Sequence, residues 1–244
     1  MNELPRRWMS PGSHDLWGRD PSRKPYKAVP YEALPPLHRA TSEPFAWLRA
    51  APARSAREQL KIGQDGESVA PRLARESLGR RLEAIVAETK RERLTIPATY
   101  LTFMNDTSLH ERVPTCTACY LDVPAKLVAL PGGQPGRLLR FMNDQQCSVL
   151  WYLHLTPDGG SSVVCAEPAD DDDEEDEDDV EDETLDDVLE LRDVAICAAS
   201  FEELVHRFWM ENTLWFSLYE KTKAPLTPDQ QAYLDAVKKA LPTL

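Results

Sequence analysis

Residues 141–165 read FMNDQQCSVLWYLHLTPDGGSSVVC, and the placing of the other elements follows from them. From Cys147 to Leu155 the side chains alternate, with Val149, Trp151, Leu153 and Leu155 on one side and Ser148, Leu150, Tyr152 and His154 on the other. A period of two is the period of a strand. Thr156-Pro157-Asp158-Gly159-Gly160 then supplies a proline with preset φ and two residues free to take positive φ, so the chain reverses and Ser161–Cys165 returns as the paired strand. The expected arrangement turns Trp151 toward a core and leaves the face of Tyr152 and His154 open for contact with a partner.

Beyond the hairpin lies a run of a different kind. Residues 170–187, DDDDEEDEDDVEDETLDD, hold 15 of the 41 acidic side chains and no basic one. The net charge of −13 is therefore local: the remaining 26 acids face 28 Lys and Arg, which leaves the rest of the chain at +2. Such a run repels itself and cannot bury apolar surface, so a disordered loop is expected over about 168–190.

Upstream, Leu78, Leu82, Ile85, Val86 and Thr89 recur at helical spacing, with Arg80, Arg81, Glu83 and Glu88 opposite, which predicts an amphipathic helix from Ser77. Pro97 is suited to the first turn of a second helix carrying Tyr100, Leu101, Phe103 and Met104. Short strands are expected at Thr117–Leu121, Leu127–Leu130 and Arg137–Phe141, and another at Ala195–Ala198. Ser200-Phe-Glu-Glu203 is a capping box opening a long helix whose apolar residues cover more than one face, which predicts contact with two layers. Thr227-Pro228-Asp229-Gln230 repeats the cap before a final helix.

The first 76 residues are proline-rich and dotted with Trp8, Trp17, Tyr26, Tyr31, Phe45 and Trp47. Few regular elements are expected there, although the aromatics imply packing on something. The division is thus an arm over 1–76 and an α+β domain over 77–244, a mainly antiparallel sheet flanked by helices with the acidic loop inserted. A structured core is expected over about 77–241. No run of about eighteen apolar residues exists, so neither a membrane span nor membrane contact is expected. The N-terminus lacks an apolar segment behind its charges, and the five cysteines are an odd number, which fits reduced thiols in the cytoplasm.

The order helix, IPATYLTFM, strands, WYLHLTPDGG hairpin, insertion, AASFEELVHRFW helix resembles the SUKH superfamily, the group of bacterial toxin-immunity proteins and a yeast cell-wall-synthesis regulator. Pro97, Tyr100 and Phe103 match its proline-led helix, Trp151 with Asp158-Gly159 its Trp strand and turn, and Ser200, Phe201 and Leu204 its closing helix. The match spans roughly residues 77–219; the proline-rich arm and the acidic insertion depart from the pattern. The resemblance implies a non-catalytic protein-binding scaffold, in its most specific form an immunity protein that binds and neutralises a toxin.

The chemistry-bearing candidates are few. Cys116-Thr-Ala-Cys119 has the spacing to place two thiolates on one metal or to form a redox pair. A zinc site would draw its remaining ligands from Cys147, Cys165, Cys197, His110 and His154, none at ligand spacing with another, and a redox pair normally opens a helix, whereas CTACYLDVP reads as strand and turn. A small zinc-binding or redox protein using Cys116 and Cys119 is the alternative reading; ordinary half-buried thiols are the main one. His154 and His206 read as packed or surface imidazoles. No cofactor is expected. The expected partner is a protein, a basic toxin in the specific form, with no direct contact to nucleic acid. Its expected contacts are Tyr152, His154 and the acids Asp171, Asp172, Asp173, Glu174 and Glu175, whose charge density suits them to attract a basic protein.

Overall fold

The computed structural model describes residues 4–11, 26–35, 43–55, 58–63, 71–124, 126–168, 191–219 and 225–240. Their strands are β1 (Arg7–Pro11), β2 (Tyr26–Pro30), β3 (Lys61–Ile62), β4 (Tyr120–Leu121), β5 (Val128–Ala129), β6 (Arg137–Asn143), β7 (Leu150–Leu155), β8 (Ser161–Pro168) and β9 (Leu191–Ala198). The helices are α1 (Ala46–Arg49), α2 (Pro71–Arg91), α3 (Ala98–Asn105), α4 (Thr107–His110), α5 (Phe201–Tyr219) and α6 (Pro228–Ala240). The fold is α+β. A seven-stranded sheet runs β3-β4-β6-β7-β8-β9 with β5 beside β6, and every pairing in it except β3–β4 is antiparallel.

The hairpin forms at the centre of this sheet. Trp151 stands opposite Met142 and Cys165, and Tyr152 opposite Arg140 and Val164. In the turn, Asp158 accepts from the Thr156 hydroxyl and from the Gly160 amide at 3.1 Å. Gly159 takes the one positive φ, +85°. Gly160 is needed for space instead, because a Cβ there would lie 2.8 Å from Thr156 Oγ1.

Trp151, Leu153 and Leu155 enter the main core together with Leu139, Phe141, Val163 and Cys165, beneath Tyr100 and Phe103 of α3 and Phe201, Leu204 and Phe208 of α5. The opposite face is also closed. Leu150 and Tyr152 pack with Leu130, Leu138, Val164 and Ala166 in a second, smaller core, and Tyr152 is only 1% exposed. The expectation of an open face at Tyr152 is therefore corrected. Its physical reason is readable in Val149–Leu153, VLWYL: five consecutive apolar or aromatic residues suit a strand covered on both sides.

Local capping behaves as its chemistry requires. Ser200 Oγ accepts from the Glu203 amide at 3.2 Å, while Glu203 Oε2 reaches one residue further back than the usual box, to the Ala199 amide at 2.9 Å. At α6 the exchange is reciprocal: Gln230 donates its amide to Thr227 Oγ1 and accepts from the Thr227 amide. Pro97 sits just before α3, and α2 starts at Pro71, earlier than the periodicity alone suggests.

The core does not begin at residue 77. β1 and β2 pair as an antiparallel hairpin, and Trp8, Phe45 and Leu48, each 0% exposed, belong to the same core as Trp151. The arm also borders the main sheet: Arg6 bridges Ile196 in parallel, and the Ile196 amide donates to the Pro5 carbonyl at 2.8 Å. At the far end of the same strand pair, Pro168 of β8 stands opposite Leu191 of β9, so the acidic segment leaves and re-enters at adjoining positions. That segment lies outside the described residues.

Candidate binding surface

α5 organises the molecule because it carries polar side chains on a helix that is otherwise packed. Its carboxylates and one arginine hold the arm at successive points. Glu203 Oε1 accepts from the Tyr31 hydroxyl and from Arg207, which in turn donates to the Pro35 carbonyl at 3.0 Å. One turn on, Glu211 Oε2 accepts from Trp8 Nε1 at 2.9 Å and Ser10 Oγ at 2.6 Å, and Glu211 Oε1 accepts from the Tyr233 hydroxyl of α6 at 2.7 Å. Glu211 is 0% exposed. Burial pushes its carboxyl up from the ordinary range, opposed by the three donors and by the charge of Arg207. The cluster is a fastening between α5, the arm and α6, with Glu211 at its closed end.

A second polar cluster lies by the sheet. Asp122 pairs with Arg81 of α2 at 2.8 Å and with the buried Arg140 of β6 at 3.2 Å, tying helix to sheet. Tyr120 stands 3.6 Å from the Cys147 sulfur, and burial, with that thiol contributing, pushes the phenol up to about 12.

The expected site residues fall apart in space and role. Tyr152 is enclosed and cannot touch a partner. His154 is half-buried beside Pro135, its Nε2 3.3 Å from the Pro135 carbonyl oxygen. Asp171, Asp172, Asp173, Glu174 and Glu175 lie outside the described residues. Cys116 is half-buried and Cys119 buried. The Cys116 amide donates to Asn212 Oδ1 at 2.7 Å, the Cys119 amide donates to Thr115 Oγ1, and Thr117 Oγ1 lies 3.2 Å from Cys119 Sγ. The motif occupies a turn leading into β4. Among the described residues no group of three or more His, Cys, Asp or Glu side chains is placed to hold a metal ion.

A different group gathers where α1 meets α5. Trp47 lies edge-on to His206, centroids 4.7 Å apart, and to Trp209, 5.4 Å apart. All three rings are half-buried. Trp47 Nε1 donates to Glu202 Oε1 at 3.1 Å, which fixes the indole by its polar end. The patch thus presents two tryptophans held rigidly on regular elements, the side-chain type most enriched at interface hot spots. The sequence does not announce it, because Trp47 belongs to the arm and Trp209 to a helix whose apolar residues cover more than one face. The one available signal was the tryptophan in a proline-rich segment.

Fold and patch together define an α+β domain with a half-buried aromatic surface. Comparison finds no matching family model, no matching curated protein and no matching solved structure.

Proposed function

We propose that the chain is a non-catalytic protein-binding domain, most specifically an immunity protein of the SUKH-like kind that binds and neutralises a basic toxin in the cytoplasm. The observation that carries this reading is the patch of Trp47, His206 and Trp209: rigid aromatics that keep part of their surface outside the core lose little conformational entropy when a partner covers them. The basic character of the partner follows from charge, since 15 acids within residues 170–187 attract a protein of opposite sign. No helix among the described residues is long and apolar enough to cross a membrane.

The test is co-expression of this chain with each reading frame that adjoins its gene, in a bacterial host. The expected result is one neighbour whose product arrests growth, restored growth when this chain is present, and a complex on gel filtration. The double variant Trp47→Ala/Trp209→Ala, checked for folding, should lose both rescue and complex. Rescue that survives in the folded double variant would remove the patch from the interface; no rescue from any neighbour would overturn the immunity reading.

A further inference from the structure

The aromatic patch carries a built-in positioning device. Glu202, the second residue of α5, accepts two hydrogen bonds on one carboxylate oxygen, each at 3.1 Å: one from the backbone amide of Phe45 and one from the indole Nε1 of Trp47. Phe45 is the residue before α1, and its backbone is left-handed, φ 59° and ψ 19°. A side chain larger than glycine is strained in that conformation and keeps it only where its surroundings enforce it. Here they do. The Phe45 ring is 0% exposed, packed against Phe103 at 5.4 Å and Phe201 at 6.5 Å.

The consequence is geometric. The left-handed turn at Phe45 starts α1, and two residues later Trp47 projects over α5 onto His206 and Trp209. Without the carboxylate, the Phe45 amide and the Trp47 N–H would lose the acceptor they share, and the four-residue α1 is too short to hold its own direction. We infer that Glu202 is the positioning residue of the binding surface: it clamps the start of α1 and the polar end of Trp47, so that the aromatic anchor is ordered before any partner arrives. This rests on the reading of the patch as the contact surface, but the clamp itself is tested on the free protein. Preorganisation of this kind strengthens binding by lowering the cost of immobilising the anchor.

The measurement is hydrogen exchange by NMR at three N–H groups in the whole chain: the Trp47 indole, the Phe45 amide, and the Trp8 indole as the internal control. In Glu202→Leu, exchange of the Trp47 indole and the Phe45 amide should rise together by about tenfold or more, with the Trp8 indole unchanged. Glu202→Gln, which keeps an acceptor oxygen, should restore most of the protection. If Glu202→Leu does not fold, Glu202→Asp, which withdraws the carboxylate by one methylene, carries the same comparison. Unchanged exchange at Trp47 and Phe45 would overturn the assignment, and so would an equal rise at Trp8, since that would mean Glu202 supports the fold as a whole. Loss of ordering at Trp47 with unaltered growth rescue would leave the clamp standing and refute the patch as the interface.

Discussion

At the scale of single residues, neighbours in sequence occupy two different cores. Trp151 is 0% exposed on the helix-covered face and Tyr152 is 1% exposed on the other. Each therefore fills space that nothing else can fill. Trp151→Ala and Tyr152→Ala should each destabilise the fold by about 3–5 kcal/mol in urea titration; a loss under about 1 kcal/mol at Tyr152 would mean that the second face opens in solution. His110 supplies a pH test. Its Nε2 lies 2.8 Å from the Phe103 carbonyl oxygen, which assigns the proton to that nitrogen, and its Nδ1 is buried with no partner among the described residues. Burial depresses the imidazole to about 4, against the Phe103 carbonyl and Asp106, with Arg75 adding to the depression. The unfolded chain therefore takes up this proton first, near pH 6.5. The contribution of His110 is fully present above that value and is lost as pH falls toward about 4, a total of roughly 3 kcal/mol. His110→Leu should flatten the fall in stability over that window, and an unchanged pH profile would show that His110 is hydrated in the native state.

At the scale of elements, local chemistry was legible and long-range closure was not. The caps at Ser200 and Thr227 and the Thr156–Gly160 turn are settled by contacts within four residues, so their sequence is enough to place them. The residues that complete the cores come from far away. Trp8 meets Glu211 across a separation of 203 positions, and no periodicity in a short proline-rich segment announces such a partner. Two charged residues of α5 carry no sequence signal of their burial for the same reason: Arg207 is 3% and Glu211 0% exposed because the arm and α6 cover them. The candidate surface was hidden likewise, since Trp47 and Trp209 come together only through tertiary packing. Glu211→Ala tests this closure. It strips three buried donors, from Trp8, Ser10 and Tyr233, of their acceptor, and should cost about 3–5 kcal/mol in urea titration, with added hydrogen exchange in β1 and α6. A cost under about 1 kcal/mol would show that water replaces the carboxylate and that the fastening is weak.

At the scale of the whole molecule, charge and shape are separated. Fifteen acids sit within residues 170–187, while the rest of the chain carries +2. The strands on either side of this segment pair at Pro168 and Leu191 on the sheet. The aromatic patch belongs to α1 and α5, which are distinct elements with their own rigid support. Dense charge attracts over distances near the Debye length, about 8 Å at physiological salt, and so acts on encounter; packed aromatics act only at contact, and so govern how long a complex lasts. Replacing the acids of 170–187 with Ser and Gly should therefore slow association with a basic protein partner at low salt. Stopped-flow rates for the two chains should converge as ionic strength rises, with dissociation little changed. The variant Trp47→Ala should do the reverse, raising dissociation at every salt concentration and leaving the salt slope of association as it was. If the acid replacement instead abolished binding at all salt concentrations, recognition would reside in the acidic segment, and the rigid patch would be an ornament of the core with no part in the contact.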